Sequence, residues 1–422
     1  MHVRNVIIGS SYLWRDFAKV GLHAFGEHLL SRGCNIEWFT IPFSLLHFIS
    51  PRHLSTKLHR LARSLGPPWR EQIGMGCITN RVPLTFLHPL PDIPFLESYF
   101  VSHSYLKWRI VSLPALAKRD GIFPVDMLLF DSGGINVYYE FAKWTSVTIY
   151  RVSDLVAEFP HQVRGRTECE REIIRKADLL LPVSGPIYDE VLRVRGSAEG
   201  VHLLPNGVNL RLFSVAAPCP PEYAAIPEPR AVLVGTFSSW YDWDLLAEVA
   251  RMRPGVSFCL VGRGEVPNMG LDNVYVLGPR APEQIPAYMQ HAAVGLIPFK
   301  DLPRIRKTEC PLKFYQYVAS GLPVVSVPYG ALSAMAPYAL FGATPAQFAE
   351  AIDVALAYTS DERARLREVA AQYSWDRIME KFEAILSQQG FEVGVNYVVA
   401  GCANVTANPY GFSHDRVAEW RG

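Results

Sequence analysis

The segment Cys310–Val327, CPLKFYQYVASGLPVVSV, constrains this chain more than any other. It predicts a helix that runs straight into a buried strand. Pro311 suits the first helical position, where a missing N–H costs nothing. Gly321 can take the left-handed conformation that ends a helix, and Pro323 blocks continuation. The run Val324, Val325, Val327 then reads as a strand covered on both faces. Lys313 and Gln316 stand three residues apart, so they share one face of the first helical turns. A helix N-terminus carries about half a positive charge and unpaired N–H groups. A lysine in that turn suits an anion, above all a phosphate. A solvated lysine on an ordinary helix satisfies the same pattern.

A chain of 422 residues suits two domains of about 150–200 residues. The hydrophobic fraction of 49% allows large cores, and a net charge of +1 gives no global signal for nucleic acid. The seven cysteines include no CxxC pair, so neither a zinc site nor a disulfide framework follows, and a reducing compartment is the natural reading. The charge and short apolar run of MHVRNVIIGS are too brief for a signal peptide, and no run of about 18 apolar residues is present to span a membrane. The expectation is a soluble, cytoplasmic protein.

Strand and helix patterns alternate from the start, which predicts parallel α/β domains. Val3–Ile8 and Ile36–Ile41 read as strands around a helix from Phe17 to Ser31. Ligands of such sheets sit beyond the C-terminal strand ends, which puts Trp14, Arg15 and Asp16 at the mouth of a site. Pro42–Arg119 carries ten Lys/Arg against three acids, interleaved with apolar residues. Such a stretch can lie on an anionic bilayer or form a helix pair with a solvated basic face. Nucleic acid is not indicated, because no binding motif accompanies the charge. Met127–Phe130 and Val147–Tyr150 are further strands, followed by Asp131–Gly134 (DSGG) and Arg151–Asp154 (RVSD). Asp154 at a strand end suits a general base, and it equally suits a helix N-cap.

Pro205–Asn209 (PNGVN) precedes a proline-rich linker, and a second α/β run starts at Arg230. Its strands are Arg230–Gly235, Ser257–Val261, Val274–Leu277 and Ala293–Pro298. The Gly262–Glu265 stretch lacks the third glycine of a dinucleotide fingerprint. Amphipathic helices follow at Pro345–Tyr358, Glu362–Tyr373 and Trp375–Ser387, the last capped by Ser374. The remainder from Gly390 has no usable periodicity.

Lys-x-x-Gln ahead of a Gly-Leu-Pro-Val-Val strand resembles the sugar-nucleotide site of GT-B glycosyltransferases. In many of these a longer pattern holds two glutamates eight positions apart, where this chain has Thr308 and Gln316. That departure, with FDSGG and YRVSDL in the first half, is similar to the xanthan-assembly glucuronosyltransferase (GumK) family. The resemblance implies two doubly wound, Rossmann-like domains facing a cleft, in GT-B architecture. Residues 1–209 would bind acceptor and 210–373 the nucleotide sugar, with 374–422 returning to the first domain. It implies a donor site at Gly235, Thr236, Phe237, Gly278, Phe299, Leu312, Lys313 and Gln316, and Asp154 as catalytic base. The acceptor would meet Trp14, Arg15 and Asp16. The implied reaction is inverting transfer of glucuronic acid from a UDP-sugar to a lipid-linked glycan in exopolysaccharide assembly. The protein would lie on the inner face of the cell membrane. No cofactor is expected, and without an Asp-x-Asp motif no metal is required. A retaining hexosyltransferase of the same fold, or a subunit that binds nucleotide sugar without chemistry, remains an alternative.

Overall fold

The computed structural model describes residues 1–15, 19, 21–49, 54–109, 111–159, 163–303, 305, 312–336 and 338–394. Asp16, Thr308, Cys310, Pro311 and nearly all of the C-terminal stretch therefore lie outside the described residues.

The chain divides into two compact units, 1–182 with 188–202 and 382–422, and 183–187 with 203–381. The first is built on strands β1 (Asn5–Ser10), β2 (Asn35–Thr40), β3 (Trp69–Ile73), β4 (Gly76–Arg81), β5 (Val125–Asp131), β6 (Thr145–Arg151) and β7 (Leu179–Leu180). They form one sheet in the order β7-β6-β5-β1-β2-β4-β3. All pairs are parallel except β3 with β4. Val6, Ile7 and Ile8 of β1 and all of β5 are buried, as parallel strands covered on both faces require. Helix α1 (Gly21–Ser31) turns Leu22, Phe25, Leu29 and Leu30 inward at helical spacing. Each such side chain contributes about 1.5–3 kcal/mol by leaving water.

The basic segment differs from the helix pair expected for it. It holds α2 (Leu54–Leu65), the β3–β4 hairpin that extends the sheet, and three shorter helices, Pro94–Glu97, Tyr99–Ser104 and Leu113–Arg119. Ile73 pairs with Gly76 across a two-residue turn, and Gly74 takes φ of 60° at its first position. That geometry is open to glycine and strained for other residues.

The second unit carries β8 (Arg230–Thr236), β9 (Ser257–Arg263), β10 (Val274–Gly278), β11 (Val294–Ile297), β12 (Val324–Ser326) and β13 (Ala339–Phe341). Their order is β10-β9-β8-β11-β12-β13, all parallel. Helices α3 (Trp243–Met252), α4 (Leu312–Ala319), α5 (Pro345–Leu356) and α6 (Ser360–Gln372) belong to this unit. Asp242 caps α3 by accepting the Leu245 N–H at 3.0 Å. Gly321, at φ 72°, ends α4 as expected. The last helix, α7 (Trp375–Gln388), is capped by Ser374, which accepts the Arg377 N–H at 3.2 Å. From Phe382 onward this helix falls in the first unit. There Phe382 packs on Phe25 and Glu383 accepts from His28 and Arg32. Among the described residues no helix is long and apolar enough to cross a membrane.

Candidate functional site

In the second sheet the chain runs outward from β8 to β10, then returns to β11 beside β8. Strand order reverses at this point, and a crevice opens beyond the carboxyl ends. The β8–β11 ladder has only two register pairs, Ala231 with Val294 and Val232 with Gly295. Above it the strands part, and the Tyr317 hydroxyl from α4 accepts the Val234 N–H at 3.1 Å. Gly295 admits that ring, since a Cβ there would lie 2.6 Å from it. The tyrosine thus satisfies backbone that would otherwise be buried and unpaired.

The loop after β8 folds across this crevice. Asp242 N–H donates to the Pro298 carbonyl, and Lys300 N–H to that of Trp240, both at 2.8 Å. Tyr241 and Phe299 form an antiparallel bridge, with ring centroids 5.2 Å apart. Lys313 enters from α4, its ammonium 5.3 Å from the Phe299 ring and 5.7 Å from that of Tyr241. Gly235 ends the buried part of β8 directly beneath. A Cβ on it would lie 2.6 Å from the Tyr241 hydroxyl and 2.7 Å from Lys313 Cε. A side chain there would have to displace the Tyr241 hydroxyl or the end of Lys313. Gly262 and Gly264, rejected as a dinucleotide fingerprint, have a related role. Side chains there would strike the Gly235 and Phe237 carbonyls at 1.8 and 2.1 Å. Phe237 is locked by this approach, its N–H donating to the Arg263 carbonyl at 2.6 Å.

Of the expected donor residues, Gly235, Phe237, Phe299 and Lys313 thus converge on one strand end. Thr236 is exposed at the end of β8, while on α4 Leu312 is exposed and Gln316 partly exposed. Gly278 closes the edge strand β10, two strands from β8 and roughly 10 Å across the sheet. Tyr241 is the member that sequence reading missed. It is fully buried, and its hydroxyl makes no hydrogen bond with a described residue. A buried, unpaired hydroxyl costs about 1–3 kcal/mol.

The first sheet reverses between β1 and β5. Here the DSGG turn presses on β1: a Cβ on Gly134 would lie 2.2 Å from the Gly9 carbonyl oxygen. Asp131 accepts the Gly133 and Gly134 N–H groups at 3.0 and 2.9 Å. Burial pushes its carboxyl up to about 6 despite those bonds. Ser132 grips the next loop. Its hydroxyl donates to the Asp154 carbonyl, lies 3.1 Å from the Tyr150 hydroxyl and accepts the Asp154 N–H at 3.3 Å. Glu170, in the helix Arg164–Lys176, accepts from Tyr150 and from the Val156 N–H at 2.9 Å. Burial lifts its carboxyl to about 7. Asp154 is half-buried at the end of β6. It caps no described helix, since the turn Val156–Glu158 starts after Leu155, which makes no side-chain cap bond.

The acceptor residues fare differently. Trp14 is only 3% exposed, stacked 5.6 Å from His23 and edge-on to Trp38 at 5.2 Å. It is a core side chain and not the rim of a site. Arg15 lies over Trp69 at 4.1 Å and pairs with Glu71 at 2.7 Å, so the hairpin holds it. Asp16 is outside the described residues. Among those residues no group of three or more His, Cys, Asp or Glu is arranged to hold a metal.

Two doubly wound units, each with a glycine-lined crevice at its strand reversal, define a GT-B glycosyltransferase fold. Residues 228–357 match the family model described as Glycosyl transferases group 1. TuaH of Bacillus subtilis (strain 168), described as a teichuronic acid biosynthesis glycosyltransferase, is 28% identical over 272 residues. The match covers 61% of this chain and 67% of that protein. Sucrose-phosphate synthase of Thermosynechococcus elongatus is similar in structure, with a TM-score of 0.65 at 18% identity over 92% of this chain and 99% of that one. Anabaena HepE in complex with UDP gives 0.60 at 14% identity, over 91% of this chain and 100% of that one.

Proposed function

We propose that this protein transfers a sugar from a UDP-sugar to a lipid-linked glycan with inversion, the sugar being glucuronic acid. The observation that carries the reading is the Lys313 ammonium held over Gly235 at the strand reversal of the second sheet. A cation beside bare backbone at a crevice suits a diphosphate. Lys313 would stabilise charge on the departing diphosphate electrostatically, which needs no metal. Asp154 would take the proton of the acceptor hydroxyl as that oxygen attacks the anomeric carbon. The likeness to a protein of teichuronic acid biosynthesis supports a role in polysaccharide assembly. The choice of glucuronic acid and of inversion rests on the FDSGG and YRVSDL resemblance.

Membrane contact has its own support. Leu54, Leu58 and Leu65 are 50, 51 and 66% exposed along α2, and Ile49 just before it is 75% exposed. Lys57 and Arg63 accompany them. An exposed apolar stripe with basic neighbours suits the anionic inner face of a membrane.

A thermal-shift screen over sugar nucleotides tests the donor. A ligand at about 100 times its dissociation constant adds roughly 2.7 kcal/mol, so UDP-glucuronic acid should raise the melting temperature above other UDP-sugars. Product configuration then separates inversion from retention. An α-linked donor giving an α-linked product would remove the single-displacement mechanism.

A further inference from the structure

We propose that the exposed rings of Phe86, Phe95, Phe100 and Trp108 form a surface that enters the headgroup zone of an anionic lipid bilayer beside α2. This rests on the membrane reading above and adds contacts, from other elements, that the reading does not contain.

Local structure turns these rings outward. Thr85 and Arg109 bridge two antiparallel segments and face inward: Thr85 is buried, and Arg109 pairs with the buried Glu140 at 2.6 Å. The next pair in register is Phe86 with Trp108, joined by the Phe86 N–H donating to the Trp108 carbonyl at 2.9 Å. Successive side chains alternate between faces, so this pair shares the outer one. The helix Tyr99–Ser104 buries Val101, Ser102 and Ser104 and leaves Phe100 outside. Phe95, from the helix Pro94–Glu97 just before it, has its ring centroid 6.5 Å from that of Phe100. Exposure runs from 40% at Trp108 to 57% at Phe100. A single exposed ring is ordinary, but two aromatic pairs from one short stretch make a patch.

The rings are tied to the base of α2. The strand Leu84–Thr85 pairs with Phe43–Ser44, and α2 packs against it. Ser44, which opens the turn leading to α2, donates its hydroxyl to the Phe86 carbonyl at 3.1 Å.

Charge selects the occupant. Lys107 is exposed next to Trp108, and Arg164 pairs with Glu97 at 3.5 Å, so that acid is neutralised. The whole stretch Pro42–Arg119 has ten Lys/Arg against three acids. Two copies meeting through it would set like charges together, which opposes a dimer. An anionic bilayer complements them. Phenylalanine and tryptophan suit its interface, where the indole keeps its polar tip in the headgroups while its body leaves water.

Vesicles of phosphatidylcholine and phosphatidylglycerol at low salt, with the full chain, test the proposal. Phe95→Ser with Phe100→Ser should lower partitioning about tenfold or more, as two apolar rings stay in water. The melting temperature should stay near wild type, because both rings are already more than half-exposed. Phosphatidylcholine brominated on its upper acyl chain should quench tryptophan fluorescence in the wild type, and Trp108→Phe should remove much of that quenching. If the double variant melts early, the quenching result decides. Quenching unchanged by Trp108→Phe would overturn the proposal. If the double variant partitions normally while Leu54→Ser with Leu58→Ser does not, α2 alone meets the membrane: the aromatic surface is overturned and the membrane reading stands. If the wild type ignores the vesicles, both fall. If the double variant changes only the sedimentation velocity of the free protein, the rings pack a second copy, and the proposal is overturned.

Discussion

The Tyr150 hydroxyl donates a 2.5 Å hydrogen bond to Glu170, with both groups buried in the first unit. The carboxyl also accepts the Val156 N–H, so it ties β6 to the loop that follows Asp154. Burial holds Glu170 up at about 7, above its unfolded value near 4.5. The folded state therefore binds this proton more tightly. Its contribution is full below about pH 4.5 and is lost as pH rises towards 7. Glu170→Gln should remove that part of the slope. The difference in unfolding free energy between wild type and variant should drift in the variant's favour from pH 4.5 to 7, by roughly 3 kcal/mol at most. Denaturant titrations at several pH values check it. A pH-independent difference would mean that Glu170 is ionised throughout.

Lys313→Ala should weaken UDP binding by roughly 1.5–3 kcal/mol, the range for hydrogen bonds to charged groups. Because the side chain is half-buried over aromatic rings, some packing goes with it. Calorimetry decides, and unchanged affinity would take Lys313 out of the site.

Gly235→Ala tests the crevice by filling it. The added Cβ would meet the Tyr241 hydroxyl at 2.6 Å and Lys313 Cε at 2.7 Å. The lysine tip can move, but the buried tyrosine cannot do so cheaply. Overpacking of this kind costs typically 1–3 kcal/mol. UDP affinity should fall at least tenfold while the protein stays folded. An alanine variant that binds UDP normally would show that the diphosphate sits elsewhere.

The α2 stripe predicts sedimentation with anionic vesicles at low salt and release at high salt. Leu54→Ser with Leu58→Ser should weaken that association with no loss of stability, since both side chains are about half-exposed. If wild type ignores anionic vesicles even at low salt, the stripe is an ordinary solvated face.

Much of the alternating strand and helix pattern was legible because buried parallel strands are apolar runs closed by glycine or proline. Val324–Ser326 and its helix show this best. The β3–β4 hairpin was not, because WREQI and GCITNR are polar and carry no apolar run. Its signal was Gly74 at the first place of a two-residue turn. Trp14 shows a second limit. Sequence places a residue on a loop after a strand, but the direction of the ring depends on Trp38 and His23, which come from other elements. Tyr241 went unnoticed for the same reason. An aromatic in a loop gives no signal until Phe299 and Gly235 are brought beside it.

Asp154 carries the proposed mechanism, and one substitution tests it. It follows β6, and both its N–H and its carbonyl are held by Ser132. That grip fixes the backbone and leaves the carboxylate's role open to test. As general base it should contribute about 10²–10⁴-fold to turnover. Asp154→Asn preserves size and most hydrogen bonding, but an amide does not usefully accept a proton. Were the residue a helix cap, asparagine would serve almost as well. The turn at Val156–Glu158 has Leu155 at its cap position, so loss of a cap should not confuse the result. Turnover should fall by two orders or more while UDP affinity and melting temperature stay close to wild type. Because Ser132 grips the backbone, Ser132→Ala should lower turnover less than Asp154→Asn does. An Asp154→Asn enzyme with wild-type turnover on a competent acceptor would end the assignment of Asp154 as base.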